Sequence, residues 1–329
     1  LFIEELAHQI SFGSEHVPLA LQDIFQALVD SAGEALPSLR LCACLGANID
    51  RQQLAQVEGI DAQDAQRILE SLSELGLLEA LAPGRFGFRH ALLREAAYQS
   101  QTRAVQTATH QKIIRALLQH NPDAARADPE LFAWHYLRAD DIEAAILCHA
   151  AAGGHAAARS LYREALTHYQ TALDLLEKLP EGTPSAALEI ELRLGCGIPL
   201  LALHGNGAAQ AIDNFRDTLA LADALAAPMG NDPRLFQVYW GLWLGSSSLE
   251  NFHLSREFGE KLVALAQQGG HPNTLSHAHY ALGNSLFCLG RFAEAACELE
   301  QGTAIYDPAT ASLELGEDPL VTNLSFLSW

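Results

Sequence analysis

Apolar residues recur at three- and four-residue spacing along almost all of the 329 residues. That period winds one apolar stripe onto each helix and leaves little of the chain available for sheet. A chain patterned this way is expected to be nearly all-α. Its hydrophobic content of 49% is enough to fill two or three separate cores. Pro and Gly fall mainly between the periodic segments, where they end helices.

Charge narrows the range of partners. Forty Asp and Glu against twenty Lys and Arg give a net charge of −20, and Lys112, Lys178 and Lys261 are the only lysines. Such a surface repels phosphate backbones and anionic membranes, so neither nucleic acid nor membrane is expected as a partner. The six cysteines are scattered and mostly sit at core-like helical positions, which fits a reduced, cytoplasmic setting. Cys42 and Cys44 form a C-x-C without a nearby histidine and read as buried small side chains. The first residues, LFIEELAHQI, have a mid-helix pattern with no initiator Met, and the chain stops at SFLSW; both ends suggest a segment of a longer polypeptide.

The periodicity changes once. After helices expected at 19–29 and 37–45, RQQLAQVEG and DAQDAQRILESLSELG read as two helices joined at Gly59, the second with Asp61 as N-cap and Asp64 three residues on. LLEAL and FGFRH then read as short strands joined by APGR. Helix, turn, helix, hairpin is the order of a winged helix. Its would-be recognition helix exposes Gln63, Asp64, Arg67, Glu70, Ser71 and Glu74, a net negative face unsuited to a major groove. A packing or interdomain role is expected instead, and His90 reads as a hydrogen-bonding packing residue where the wing meets the next helix.

From about residue 129 the chain consists of helical pairs. In SHAHYALGNSLFCLGRFAEAACELEQGTAIYDP, Gly290 supplies the left-handed position between two helices. Gly283, Ala295 and Gly302 put small side chains where two closely joined antiparallel helices must cross. Leu282-Gly283, Gly290, Phe292, Ala295 and Pro308 follow the spacing of a tetratricopeptide repeat, a helix-turn-helix unit of about 34 residues that stacks into a solenoid. EALTHYQTALDLLEKLP repeats its second half, with Ala165, Tyr169, Ala172 and Pro180. The 236–267 pair is more degenerate, Ser255 standing where Ala295 does.

The runs VPLALQDIFQALVD, LCACLGANID, ILESLSELGLLE, FGFRHALLREAAYQS and PELFAWHYLRADDIEAAI resemble the region after the nucleotide-binding domain of large bacterial signalling ATPases of the STAND/AAA-like class. LFIEELAHQI resembles the tail of their ATPase lid, and HYALGNSLFCLGRFAEAACELEQGTAIYDP with LGEDPLVTNLSFLSW resembles their repeat region. The resemblance implies a lid helix remnant at residues 1–16, a winged-helix-like domain with its following helices at 17–125, and a tetratricopeptide-like α-solenoid at 126–329. It further implies an ATP-driven switch: repeats sense a protein partner or small-molecule effector, and the winged helix relays the state to an intramolecular ATPase domain. ATP and Mg would belong to the parent protein, with no cofactor in this chain. Members of the class are often fused to an adenylate or guanylate cyclase or a Ser/Thr kinase. The class tends to have an Arg in the helix ending at Asp30, where this chain has Leu28 and Val29.

No phosphate-binding G-x-x-x-x-G-K-[ST] occurs, because Gln111, Glu177 and Glu260 precede the three lysines. H-E-x-x-H, G-x-S-x-G and paired C-x-x-C motifs are also absent, so no catalytic residue is assigned. His277 and His279, the closest histidine pair, point to different helix faces at two-residue spacing, and no metal ligand is assigned. If the first helix of each pair lines a concave surface, His277, Tyr280, Asn284 and Phe287 face a ligand; packing of Tyr280 and Phe287 between repeats is the competing reading. The sequence therefore reads as a non-catalytic sensor segment. The alternatives are a stand-alone tetratricopeptide adaptor and the regulatory part of a transcription regulator.

Overall fold

The computed structural model describes residues 19–180, 186–224, 233–310 and 318–329. The lid remnant assigned to 1–16 lies outside them. Contacts divide the chain into two compact units, the first ending at Cys148 and the second beginning at His149.

In the first unit, α1 (Leu19–Asp30) and α2 (Leu36–Leu45) lead into β1 (Asn48–Asp50), α3 (Arg51–Glu58) and α4 (Ala62–Glu74). The hairpin β2 (Leu78–Ala82) and β3 (Arg85–Phe88) follows, then α5 (Ala91–Gln99) and α6 (Arg103–His120). The expected strands are present, and β1 joins them in an antiparallel sheet of order β1-β3-β2, with Ile49 opposite Phe86 and Leu78 opposite Phe88. A strand of three residues carries no readable alternation, which is why it is not legible in sequence.

The helix caps follow local chemistry. Asp61 accepts from the backbone N–H of Gln63 and of Asp64, both at 2.8 Å, and starts α4. Gly59 ends α3 at φ +73°, a left-handed conformation that costs other residues a Cβ clash. Leu39, Ile49, Leu54, Leu69, Leu72, Leu78, Phe86 and Leu93 form one core beneath the sheet and helices. On the outer face of α4, Arg67 is paired with Asp64, leaving Glu70 and Glu74 exposed. The one cation there is thus already neutralised by its own helix. Cys42 and Cys44 are buried, and burial pushes their thiols up to about 12 and about 11. His90 stands at the N-terminus of α5 with its ring edge-on to Phe25 at 6.2 Å.

The first unit also contains α7 (Ala124–Ala127) and α8 (Pro129–Arg138), which pack on α6. Next, α9 (Ile142–Ala158) opens on Asp141, whose Oδ1 accepts from the Ala144 N–H. The second unit continues with α10 (Tyr162–Leu176), α11 (Ala186–His204), α12 (Ala209–Ala224), α13 (Pro233–Ser248), α14 (Phe252–Gly269), α15 (Pro272–Cys288), α16 (Phe292–Ile305) and α17 (Pro319–Leu327). From α10 on, each helix packs against the next, so the second unit is a tetratricopeptide-like helical solenoid.

One device recurs in this stack: a bulky side chain from one helix lies on a glycine of a neighbour. Tyr169 lies on Gly153 and Gly195, Phe215 on Gly197 and Gly241, and Leu299 on Gly283. Gly302 performs the same service for Asn323, and Ala295 and Ser255 are fully buried at the corresponding crossings. Small residues thus occupy the positions at which backbones approach. Among the described residues, no helix is long and apolar enough to cross a membrane.

Candidate functional site

The helices α13, α15 and α17 bring a cluster of large aromatic side chains together in the second unit. VYWGLWLG on α13 places Trp240 and Trp243 three residues apart, hence on one face. Their rings lie 4.9 Å apart. From α15, His277 meets the Trp240 ring edge-on at 5.4 Å, and Tyr280 meets Trp243 edge-on at 5.5 Å. Phe326 of α17 extends the cluster, 5.8 Å from Tyr280 and 5.6 Å from Phe287. Phe287 in turn touches Phe292 and Trp329, and Trp329 is 85% exposed.

The polar atoms of this cluster are unevenly served. Trp243 Nε1 donates to Ser285 Oγ at 3.0 Å, and that hydroxyl donates to the Ala281 carbonyl at 2.8 Å. By contrast, Trp240 Nε1 and His277 Nδ1 are buried with no protein partner. An unserved buried donor or acceptor costs about 1–3 kcal/mol, so two on contacting rings mark a place where a polar group from elsewhere would be stabilised. Burial holds His277 down at about 4, opposed by the charge of Asp318, so the ring is neutral at neutral pH. The indole N–H is a donor and the neutral Nδ1 an acceptor or a donor, so each suits a polar group such as an amide or water.

The four sequence-assigned residues all sit on α15. His277, Tyr280 and Asn284 are only 4%, 8% and 7% exposed, while Phe287 is half-buried. His277 and Tyr280 share the Trp240 face, Phe287 joins through Phe326, and Asn284 lies one turn beyond Tyr280. His279 turns elsewhere, its Nδ1 2.7 Å from Glu298 Oε2 on α16. The sequence reading missed Trp240, Trp243 and Phe326. The signal was available as two tryptophans at one-turn spacing in a repeat whose register is otherwise degenerate. A separate polar knot closes the far side of α15. Ser276 Oγ donates to the Gly302 carbonyl at 2.7 Å, and Asn323 Nδ2 donates to Pro319 O at 2.6 Å and reaches Ser276 O at 3.3 Å.

No protein-family model matches the chain. An uncharacterized protein of Rhizobium meliloti (strain 1021) is 26% identical over 328 residues, covering 94% of this chain, and the chain spans 31% of that protein's length. Among solved structures, a signal transduction ATPase with numerous domains and a tetratricopeptide repeat sensor from Pyrococcus horikoshii gives a TM-score of 0.43 at 14% identity, covering 96% of this chain and 65% of that one. The apo form of RapI gives 0.45 at 10% identity, covering 93% of this chain and 70% of that one. BtubC from P. vanneervenii gives 0.46 at 16% identity, covering 63% of this chain and 94% of that one.

Proposed function

We propose that the chain is a non-catalytic sensor segment of a multidomain bacterial signalling ATPase. Its helical repeats bind a protein or small-molecule effector, and its winged-helix-like module relays the bound state to an ATPase domain and an output domain such as a cyclase or kinase. The observation that carries the sensing role is the aromatic cluster of α13 and α15, with the adjoining unserved Trp240 Nε1 and His277 Nδ1. The cluster is buried, and a polar group of an effector that enters between α13 and α15 would relieve either unserved atom. The first unit supports a relay rather than DNA reading, because the only cation on the outer face of α4 is already paired with Asp64.

The relay half of this reading is tested by the coding sequence preceding Leu1. A phosphate-binding loop encoded within a few hundred residues supports it, and absence of one leaves a stand-alone adaptor. The sensing half is tested in the purified chain with Asn284→Ala and His277→Leu, each checked for native helicity by circular dichroism. Unchanged effector binding in both variants would remove α15 from the site.

A further inference from the structure

Side-chain contacts fix the direction of three helices in the second unit. Trp240 meets His277, while Trp243 meets Tyr280 and bonds Ser285, so α13 and α15 run the same way. Tyr280 meets Phe326 and Phe287 meets Trp329, so α17 runs with them. The three helices therefore end on one edge. On that edge stand Leu249 just after α13, Phe292 at the end of the turn after α15, and Trp329 just after α17, exposed by 61%, 62% and 85%. Neighbouring turns are in contact: Leu249 Cδ2 lies 3.5 Å from where a Gly207 methyl would be, and Phe287 bridges Phe292 and Trp329 at 5.4 and 6.3 Å. Large apolar side chains held out at successive turns form a row rather than scattered exposures.

Charge selects what can lie on this row. From residue 246 to 329 the chain has ten Asp and Glu against three Lys and Arg. All three cations are engaged, Arg256 with Glu260, Arg291 with Glu294, and Lys261 over the Tyr239 ring. The apolar row is thus set in a negative field. Glu250, beside Leu249, takes φ +59°, the left-handed conformation that Gly205 and Gly290 take in the turns after α11 and α15. Glycine adopts it without strain and glutamate does not, so a carboxylate kept there points to a use for its charge. We propose that the edge bearing Leu249, Phe292 and Trp329 docks a basic amphipathic helix of a partner protein, its apolar side chains seated on the row and a Lys or Arg facing Glu250.

A helix is the partner form that fits. Among its described residues the second unit has no strand, so an extended peptide finds no sheet edge to pair with. A helix satisfies its own backbone and presents apolar side chains one turn apart, as discrete anchors for discrete contacts. The surface is separate from the buried Trp240 and His277 atoms. Phe287 lies roughly 15 Å further along α15 than His277, and an occupant of the edge need not part α13 from α15. The sequence conceals the row because Leu249, Phe292 and Trp329 belong to different repeats, and each alone reads as an ordinary turn residue.

The probe is a fluorescein-labelled amphipathic helical peptide of Leu and Lys, titrated with the whole chain and read by anisotropy beside its Leu/Glu and Ala/Lys counterparts. The Leu/Lys peptide is expected to bind saturably, with the other two weaker by about tenfold or more. Leu249→Ser/Phe292→Ser weakens it by about tenfold or more, whereas Leu147→Ser, at an exposed leucine of the first unit, does not. Glu250→Gly weakens it at low salt and has little effect at high salt. Equal binding of the Ala/Lys peptide would mean that charge acts alone, and unchanged Leu/Lys binding in the double variant would place the peptide elsewhere. Either result overturns the proposal, as does a chain that binds no Leu/Lys peptide. Sedimentation of the free chain adds one more outcome: self-association that the double variant abolishes assigns the edge to a second copy and overturns the proposal too. Circular dichroism checks the fold of each variant, and should Phe292→Ser unfold, Leu249→Ser decides alone.

Discussion

Gly153 and Gly154 are neighbours on α9, yet replacing each with alanine is expected to have opposite effects. Both substitutions gain helix propensity, worth about 0.8–1 kcal/mol in a helix interior. A methyl group at Gly154 meets only Tyr169 Oη at 3.7 Å, an ordinary contact. At Gly153 it meets the Tyr169 ring, 2.9 Å from both Cε1 and Cζ. The ring cannot step away, because Gly195 of α11 holds its other side so closely that a methyl there would lie 2.5 Å from the same two atoms. Tyr169 is 9% exposed, so rotation into solvent is also closed. Overpacking of this kind costs about 1–3 kcal/mol. Gly154→Ala should therefore stabilise by about 0.5–1 kcal/mol, and Gly153→Ala should destabilise by up to about 2 kcal/mol. Urea unfolding followed by far-ultraviolet circular dichroism reads both, and the difference between variants isolates the ring contact because the propensity gain is common to them. Equal midpoints for the two variants would refute the argument that the glycines of this stack are there for close approach.

Three further perturbations address other parts of the molecule. His110 and His135 pair in the first unit with their Nδ1 atoms 2.9 Å apart, and burial lowers them to about 4 and about 3, so between about pH 6.5 and those values the unfolded chain takes up protons that the folded chain does not. The pair's contribution is complete above pH 6.5 and lost as the pH falls. A His110→Gln/His135→Gln variant should flatten the acid limb of stability against pH, and an unchanged limb would contradict the assignment. Ser285→Ala strips Trp243 Nε1 of its acceptor and should cost about 1–3 kcal/mol, measured by urea unfolding with tryptophan fluorescence. Asp61→Ala removes the cap of α4 and should cost about 0.5–2 kcal/mol; a loss below a few tenths would mean that tertiary packing alone starts the helix.

Much of the architecture was legible because it rests on short-range chemistry. Asp61, Gly59 and Gly290 act within a few residues of themselves, and their caps and turns are where the sequence places them. Gly283, Ala295 and Gly302 were readable for a related reason: close crossing of joined helices leaves a small-residue signature at fixed spacing. Leu299, on the paired helix, is readable as filling the volume beside them, but Asn323 over Gly302 was not, because it comes from a later helix and nothing in the local pattern names it.

The same distinction explains the site. Helical periodicity indicates that His277, Tyr280 and Asn284 share α15, but it does not say whether that face meets solvent or another helix. The deciding partners are Trp240 and Trp243, contributed from α13, two helices earlier in the stack and so beyond any local rule. They close over His277 and Tyr280 and turn a surface expectation into a buried aromatic cluster with two unserved polar atoms. On the proposed reading, an effector that reaches those atoms has to part α13 from α15, which would couple its binding to repeat packing. Neighbouring helices here meet through glycines with little slack, Gly259 of α14 against Leu282 and Gly283 of α15 under Leu299 of α16, so a displacement of α15 would press on both neighbours.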